Sequence, residues 1–215
     1  MTQASGRPLR ADAERNRRLV LQTAGRMLAE RGTAVTLNDV AREAGVGVGT
    51  VYRRFPDVQA LIDALHSERF TVYLQHAADA AQQHEEPGRA LRHYLLAAAT
   101  QRARDPALEV IIEHASLDHP EIAEMSNELD RRVDGLVERA VAAGAVRADF
   151  TSSDVYNLLY MLGTVSDRTE RIAPGNWRRY ADVLFTGFGL QADPAERTEA
   201  MTEGQMRQAI WPTQS

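Results

Sequence analysis

Arginine is the residue type in this chain best suited to bind an anionic partner, and it is concentrated in the first 56 residues. This segment carries ten Arg and five acidic residues, a net charge of +5, whereas the whole 215-residue chain has −5 and the remainder therefore has −10. Guanidinium groups pair well with phosphates and guanine edges. A basic segment attached to an acidic remainder indicates that only the first segment meets a polyanion.

Residues that would support catalysis form no recognisable constellation. There is no Gly-x-Ser-x-Gly motif and no phosphate loop with a Lys, and the glycines at 45, 47 and 49 do not follow a predicted strand. The six His are scattered, and His114 and His119 have no partner at metal-ligand spacing. With no Cys, thiolate sites are excluded. The sequence predicts no metal and no cofactor, and a helical enzyme is the weaker alternative to a binding protein.

The segment from Thr36 to Phe55 has the spacing of a helix-turn-helix. Ala41 allows two helices to approach closely, Gly45 accepts the left-handed conformation of the turn, and Val51 fixes the second helix against the first. Three further apolar residues complete this small core: Val40, Val46 and Phe55. An ordinary αα-hairpin can place Ala, Gly and Val in the same way, so the spacing alone leaves that alternative open.

Helical spacing continues along the chain and no credible strand is found, which predicts an all-α fold with about nine helices. The predicted helices span about 12–31, 37–44, 47–54, 57–84, 89–104, 106–115, 120–143, 152–171 and 175–190. Thr36, with Asp39 three residues later, is the expected cap of the second helix, and Asp57 that of the fourth. Residues 1–11 are predicted to be a flexible basic arm. Residues 191–215 lose the apolar period and are predicted to be a mobile tail, with at most a helical turn near Met206.

The run from Gly45 to Pro56 (GVGVGTVYRRFP), followed by Leu61, resembles the signature of the TetR family of bacterial repressors. The strong part of this resemblance covers about residues 12–65. The later run from Pro174 to Tyr180 is similar to an actinobacterial-type subgroup. The resemblance implies an N-terminal three-helix DNA-binding domain, residues 12–56, and a C-terminal helical domain for ligand binding and dimerisation, residues 57–190.

The resemblance also implies which residues meet double-stranded DNA. The helix from Gly47 to Arg54 would lie in the major groove, where Thr50 and Tyr52 would contact phosphates and Arg53 would reach base edges. The full expected set is Thr36, Arg42, Gly47, Val48, Gly49, Thr50, Tyr52, Arg53 and Arg54.

Two positions depart from the family pattern. Many members carry Ser where this chain has Gly47, so the usual hydroxyl cap of the recognition helix is missing. Many also carry a phosphate-anchoring Lys where this chain has Val58. Arg53 and Arg54 can compensate for the missing positive charge.

The C-terminal domain is expected, from the resemblance, to enclose a pocket for an unknown small molecule. Apolar walls with a few polar groups suit such pockets. The candidate lining residues are Tyr73, Tyr94, His114, Met125, Tyr160, Met161 and Thr164. We expect fewer than half of them to contact a ligand.

The last two predicted helices carry apolar residues on more than one face, which indicates more than one packing partner. The resemblance implies that they form a four-helix interface in a homodimer, with Trp177 and Phe185 as anchors and Gly163 allowing close approach of a neighbouring helix. The expected interface residues are Tyr156, Leu159, Gly163, Trp177, Ala181, Leu184, Phe185 and Phe188. That these residues face only their own core remains an alternative.

Together these features predict a cytoplasmic transcriptional repressor, with no membrane span, that a small-molecule ligand releases from a palindromic operator. A helical DNA-binding or interaction protein without a ligand is the other alternative.

Overall fold

The computed structural model describes residues 6–190 and 198–210, and every regular element within these ranges is an α-helix. The helices are α1 (Gly6–Arg31), α2 (Leu37–Ala44), α3 (Val48–Arg54), α4 (Val58–Gln83), α5 (Pro87–Ala103), α6 (Leu108–His114), α7 (Pro120–Ala142), α8 (Ser152–Thr169), α9 (Trp177–Gly187) and α10 (Glu203–Ile210). The first nine correspond to the nine predicted helices. Over the described ranges, no helix combines the length and apolar character that crossing a bilayer requires.

The chain folds as two compact units. The first contains the residues up to Phe70 together with Ala107–Met125, and the second contains Thr71–Pro106 and the residues from Ser126 onward. This division differs from the predicted domain boundary after residue 56, because the N-terminal part of α4 and the whole of α6 join the first unit.

The core of the first unit is built from the apolar faces of five helices, α1, α2, α3, α4 and α6. On α1, apolar residues three and four places apart face inward, as an amphipathic helix requires. Leu61 and Leu65 of α4 and Ile111 of α6 are each fully buried in the same cluster. The other members of the cluster include Val20, Leu21, Ala24, Met27, Leu28, Leu37, Val40, Ala41, Val51 and Phe55.

Helix α1 begins at Gly6, six residues before the predicted start at Asp12. Residues 6–11 were predicted to belong to a flexible arm, and that prediction is wrong for this part of it. Pro8 is compatible with the helix because it lies in the first turn, where the missing N–H has no intrahelical acceptor. The rest of the predicted arm, residues 1–5, lies outside the described residues.

In the second unit, α8 packs against both α5 and α9. Thr151 and Asp154 form a reciprocal capping box that begins α8. Arg102 of α5 is 3% exposed, and its Nη2 donates to Asp167 Oδ2 of α8 at 2.8 Å. This charge-assisted bond joins α5 to α8.

Helix α10 lies in the segment predicted to be a mobile tail, and it packs on α8. It begins with a capping box: Thr202 Oγ1 accepts from the Gln205 N–H at 3.3 Å, and Gln205 Oε1 accepts from the Thr202 N–H at 2.9 Å. Ala209 is buried, and Gln205 Nε2 donates to the Ile172 carbonyl at 3.3 Å. Residues 198–210 are therefore structured, contrary to the prediction, whereas 191–197 and 211–215 lie outside the described residues.

Candidate nucleic-acid interface

The start of α2 is fixed by a local cap. Thr36 has an extended backbone, and its Oγ1 accepts a hydrogen bond from the Asp39 N–H at 3.1 Å. The same hydroxyl donates to Asp39 Oδ2 at 2.6 Å. This is the predicted cap, and it satisfies a backbone donor that the helix leaves free.

The turn between α2 and α3 depends on Gly45, which adopts the left-handed conformation with φ 65° and ψ 26°. The Val46 N–H returns to the Ala41 carbonyl at 3.0 Å, which closes the end of α2. Ala41 and Val51 are 0% and 1% exposed. The predicted contact between the two helices is therefore formed by the residues that the spacing indicated.

Helix α3 presents nearly its whole surface to solvent. Val51 is its one buried residue, Thr50 is half-buried, and Val48 and Tyr52 are each 45% exposed. A seven-residue helix held by a single inward side chain leaves its remaining side chains free for a partner. The exposed set consists of Val48, Gly49, Tyr52, Arg53 and Arg54, with Gly47 just before the helix.

Two of the candidate arginines already have partners. Arg42 pairs with Asp39, and the pKa of the Asp39 carboxyl lies below its usual value because it accepts from the Thr36 hydroxyl and then from Arg42. Arg53 Nη2 donates to Thr50 Oγ1 at 3.2 Å. Both bonds are exposed and therefore weak, so a phosphate or a base can displace them. Arg54 makes no such bond with any described residue.

A groove of about 480 Å³ runs between α1 and α3 within the first unit. Arg17 and Asn16 of α1 line it beside Arg53 and Arg54 of α3. Sequence reasoning did not assign Asn16 or Arg17 to this surface. The signal was present, because the two residues precede the buried Val20 by one helical turn and so share its side of the helix.

The two positions that depart from the family pattern lie just before and after α3. Gly47 precedes α3 with no side-chain cap, and Val58 packs partly buried against the core of the first unit. Asp57 Oδ1 accepts from the Ala60 N–H at 2.8 Å and so caps α4, as predicted. Within the described ranges, no group of three or more His, Asp or Glu side chains is placed to hold a metal ion.

Comparison with known proteins agrees with this geometry. Residues 20–65 match the model of the bacterial regulatory proteins of the tetR family, and residues 86–190 match the C-terminal domain of SbtR-like transcriptional regulators. A TetR transcription regulatory protein from Mycobacterium vanbaalenii is 30% identical with a TM-score of 0.55, over 84% of this chain and 99% of that one. The chain belongs to the TetR family.

Other proteins are similar to this TetR-family chain over all or part of their length. A TetR transcriptional regulator from Streptomyces coelicolor is 25% identical with a TM-score of 0.54, over 82% of this chain and 99% of that one. An HTH-type transcriptional regulator from Staphylococcus aureus is 30% identical over 69 residues, which is 32% of this chain and 37% of that protein. The similarity to this last relative thus covers well under half of its length.

Several residues predicted for a dimer interface are buried within the TetR-family chain itself. Trp177, Ala181 and Phe185 are 2%, 1% and 1% exposed. The prediction that they form the contact surface is wrong, because α9 turns this face toward α5 and α8 of the same chain. Phe188 is half-buried, and its ring centroid lies 5.0 Å from that of Phe150.

Gly163 has a different partner from the one predicted. It is buried, and a Cβ at this position would lie 2.5 Å from Arg102 Nε. The absence of a side chain therefore makes room for the Arg102 side chain of the same protomer rather than for a helix of a second one.

Three other residues of the predicted interface are less buried. Tyr156 is 39% exposed, and its hydroxyl donates to Asp130 Oδ1 at 2.6 Å. Leu159 and Leu184 are half-buried.

The outward faces of α8 and α9 carry a different apolar set, which we call the α8–α9 patch. Its members are Tyr156, Tyr160, Met161, Tyr180 and Val183, which are 39%, 60%, 44%, 41% and 59% exposed. Sequence reasoning identified these two helices and Tyr156, but it assigned Tyr160 and Met161 to a pocket and did not select Tyr180 or Val183.

The residues predicted to line a ligand pocket are divided between the two units. His114 and Met125 belong to the first unit, whereas the other five belong to the second. Tyr160, Met161 and Thr164 are exposed, so the prediction that they line a pocket is wrong. Tyr73 and Tyr94 are buried, and burial raises the pKa of the Tyr94 phenol far above its usual value. An open pocket lies elsewhere in the second unit, between α5 and α9.

Proposed function

We propose that this chain binds palindromic duplex DNA as a transcriptional regulator, with α3 of each protomer in the major groove, and that it acts by binding rather than catalysis. The observation that carries the proposal is the exposure of α3, which a capped α2 and the buried Val51 hold against the first unit. Hydroxyls and guanidiniums on a short exposed helix are the groups that contact phosphates and base edges. Residues Thr36, Arg42 and Arg17 extend this surface.

Two substitutions on α3 test the proposal. Tyr52→Phe removes only a hydroxyl, and we expect DNA affinity to fall by roughly three- to tenfold for all sequences alike, as for one lost hydrogen bond. Arg53→Ala is expected to alter the preference among operator sequences, with a loss of about 1–3 kcal/mol at one base pair. The measurement is binding to a palindromic fragment over a range of salt concentrations.

Arg139→Ala is the matched control for the change of charge, because Arg139 is an exposed residue of the second unit. It should leave both affinity and preference unchanged. If the variants of α3 and the control behave alike, α3 is not the reading helix.

We infer that the active form is a homodimer joined through the α8–α9 patch. A palindromic site calls for a protein with twofold symmetry. Exposed aromatic and aliphatic side chains on adjacent helices are typical of such interfaces. The patch replaces the buried anchors that the sequence suggested.

We also propose that a small molecule bound in the second unit releases the DNA, so that the chain represses in its absence. The pocket of about 310 Å³ between α5 and α9 supports this over a ligand-independent DNA-binding protein, the second candidate. Release requires that the ligand bind the two conformations with different affinity. A regulator of this kind acts in the cytoplasm, where the bacterial chromosome lies.

A further inference from the structure

The pocket between α5 and α9 has a mixed lining of charged and apolar groups. It is open, measures about 310 Å³, and all of its lining residues belong to the second unit. They are Arg92, Leu96, Thr100, Arg178, Ala181 and Asp182. Two guanidiniums and one carboxylate give the pocket a net charge of +1. This volume lies at the lower end of the roughly 300–1,000 Å³ typical of small-molecule sites.

Arg178 is a positioned cation at this pocket. Its Cζ lies 4.6 Å from the centroid of the Trp177 ring, a cation–π contact with a buried indole. Gly175, with φ +74°, lies under the guanidinium, and a Cβ there would stand 2.8 Å from Arg178 Nη1. No carboxylate of a described residue lies within ion-pair distance of Arg178. A guanidinium held in this way can pair with an anionic group at little further cost in side-chain entropy.

Asp182 carries an acceptor oxygen to which no described residue donates a hydrogen bond. Its Oδ1 is buried and has no hydrogen-bond partner among the described residues. Arg92 Nη2 lies 3.6 Å away, close enough for electrostatic attraction but too far for a hydrogen bond. Buried oxygens without a donor are rare in folded proteins. A ligand that brings an O–H or N–H group would complete this one.

We propose that the pocket binds a small organic acid that also carries a hydrogen-bond donor. The carboxylate of the acid pairs with Arg178, its hydroxyl or amino group donates to Asp182 Oδ1, and its apolar body lies against Leu96 and Ala181. This assignment rests on the proposed function, since it names the chemical class of the ligand that releases the DNA.

Three aromatic probes of similar size separate the groups that the proposal requires. The probe 3-hydroxybenzoate has both the acid and a free donor, benzoate lacks the donor, and 3-hydroxybenzamide lacks the charge. Fluorescence of Trp177 reports on the site, and replacing Trp211, the other Trp of the chain, by Phe leaves Trp177 as its single source. We expect saturable binding of 3-hydroxybenzoate and binding at least about tenfold weaker for each of the other two.

The Arg178→Gln variant should bind 3-hydroxybenzoate at least about tenfold more weakly than the wild type. Arg171→Gln makes the same change of charge at an exposed residue outside the pocket and should have no effect. Calorimetric titration gives the same comparison without relying on Trp177. Absence of saturable binding by all three probes, or equal binding by Arg178→Gln and the wild type, overturns the inference.

Binding of the wild-type protein to palindromic DNA is measured separately, without any acid. A protein that binds DNA but no probe overturns the acid site and leaves the DNA-binding proposal intact. A protein that binds 3-hydroxybenzoate through Arg178 but keeps its DNA affinity unchanged supports the acid site and contradicts ligand-controlled release.

Discussion

At the scale of single residues, the contact between Gly163 and Arg102 shows how one small residue makes room for a buried arginine that forms an ion pair. A Cβ on Gly163 would meet Arg102 Nε, Cζ and Cγ at 2.5, 2.6 and 2.9 Å. The Arg102 side chain would have to leave the position in which it pairs with Asp167. We expect Gly163→Ala to lower the free energy of unfolding by about 1–3 kcal/mol, the usual cost of overpacking, as measured by urea denaturation.

Gly135→Ala is the matched control for this substitution. Gly135 lies within α7, and an added Cβ would meet no atom within 4 Å. Replacing a helical Gly by Ala without a clash stabilises a protein by about 0.4–1 kcal/mol. Equal effects of the two substitutions would show that Gly163 has no packing role.

Local and non-local residues differed in how far the sequence could predict them. Thr36 and Gly45 were predicted correctly because a cap and a left-handed turn depend on neighbours three to five residues away. The role of Gly163 depends on Arg102, which is distant in sequence and comes close only when α5 packs on α8. No local pattern could indicate that contact.

At the scale of elements, the N-terminal part of α4 is tied to the end of α6 by polar side chains within the first unit. Gln59 Nε2 donates to the His114 carbonyl at 2.7 Å, and Asp63 Oδ1 accepts from the Ser116 N–H at 3.0 Å. Gln59 Nε2 also donates to Asp63 Oδ1 at 3.0 Å, so the two side chains act together. We expect Asp63→Ala to speed amide hydrogen exchange in residues 108–117 by about fivefold or more, since one net hydrogen bond is lost.

Asp79→Ala provides the comparison on the same helix. Asp79 accepts from Gln75 Nε2 at 2.7 Å in the same i,i+4 arrangement, but this pair belongs to the second unit. Exchange in 108–117 should stay at the wild-type rate. Faster exchange in both variants, or in neither, would contradict a specific connection between α4 and α6.

Element boundaries were missed where two local signals disagreed. Gly6 and Pro8 favoured an arm, yet a Pro in the first turn costs a helix little, and α1 extends over both. Thr202 and Gln205 have the spacing of a capping box, but the surrounding residues lack an apolar period, so α10 was not predicted beyond a possible turn. The orientation of α8 and α9 required knowledge of their packing partners.

At the scale of the whole molecule, the α8–α9 patch determines the expected oligomeric state. Val183 is 59% exposed on α9, so Val183→Glu places a charge in the proposed interface without disturbing a core. An unpaired charge buried at an interface is costly. We expect the variant to elute as a monomer with an unchanged helical content, by light scattering and circular dichroism. Leu117→Glu, at an equally exposed residue of the first unit, should remain a dimer.

The same variant also tests how the dimer binds DNA. The logarithm of the affinity falls with the logarithm of the salt concentration in proportion to the number of phosphates neutralised. A monomer brings one copy of α3 and its basic neighbours to the operator, so Val183→Glu should show about half the wild-type salt slope as well as weaker binding. Leu117→Glu should keep the full slope. A monomeric variant with the wild-type slope would mean that one protomer makes all the phosphate contacts, and the palindromic arrangement would then be wrong.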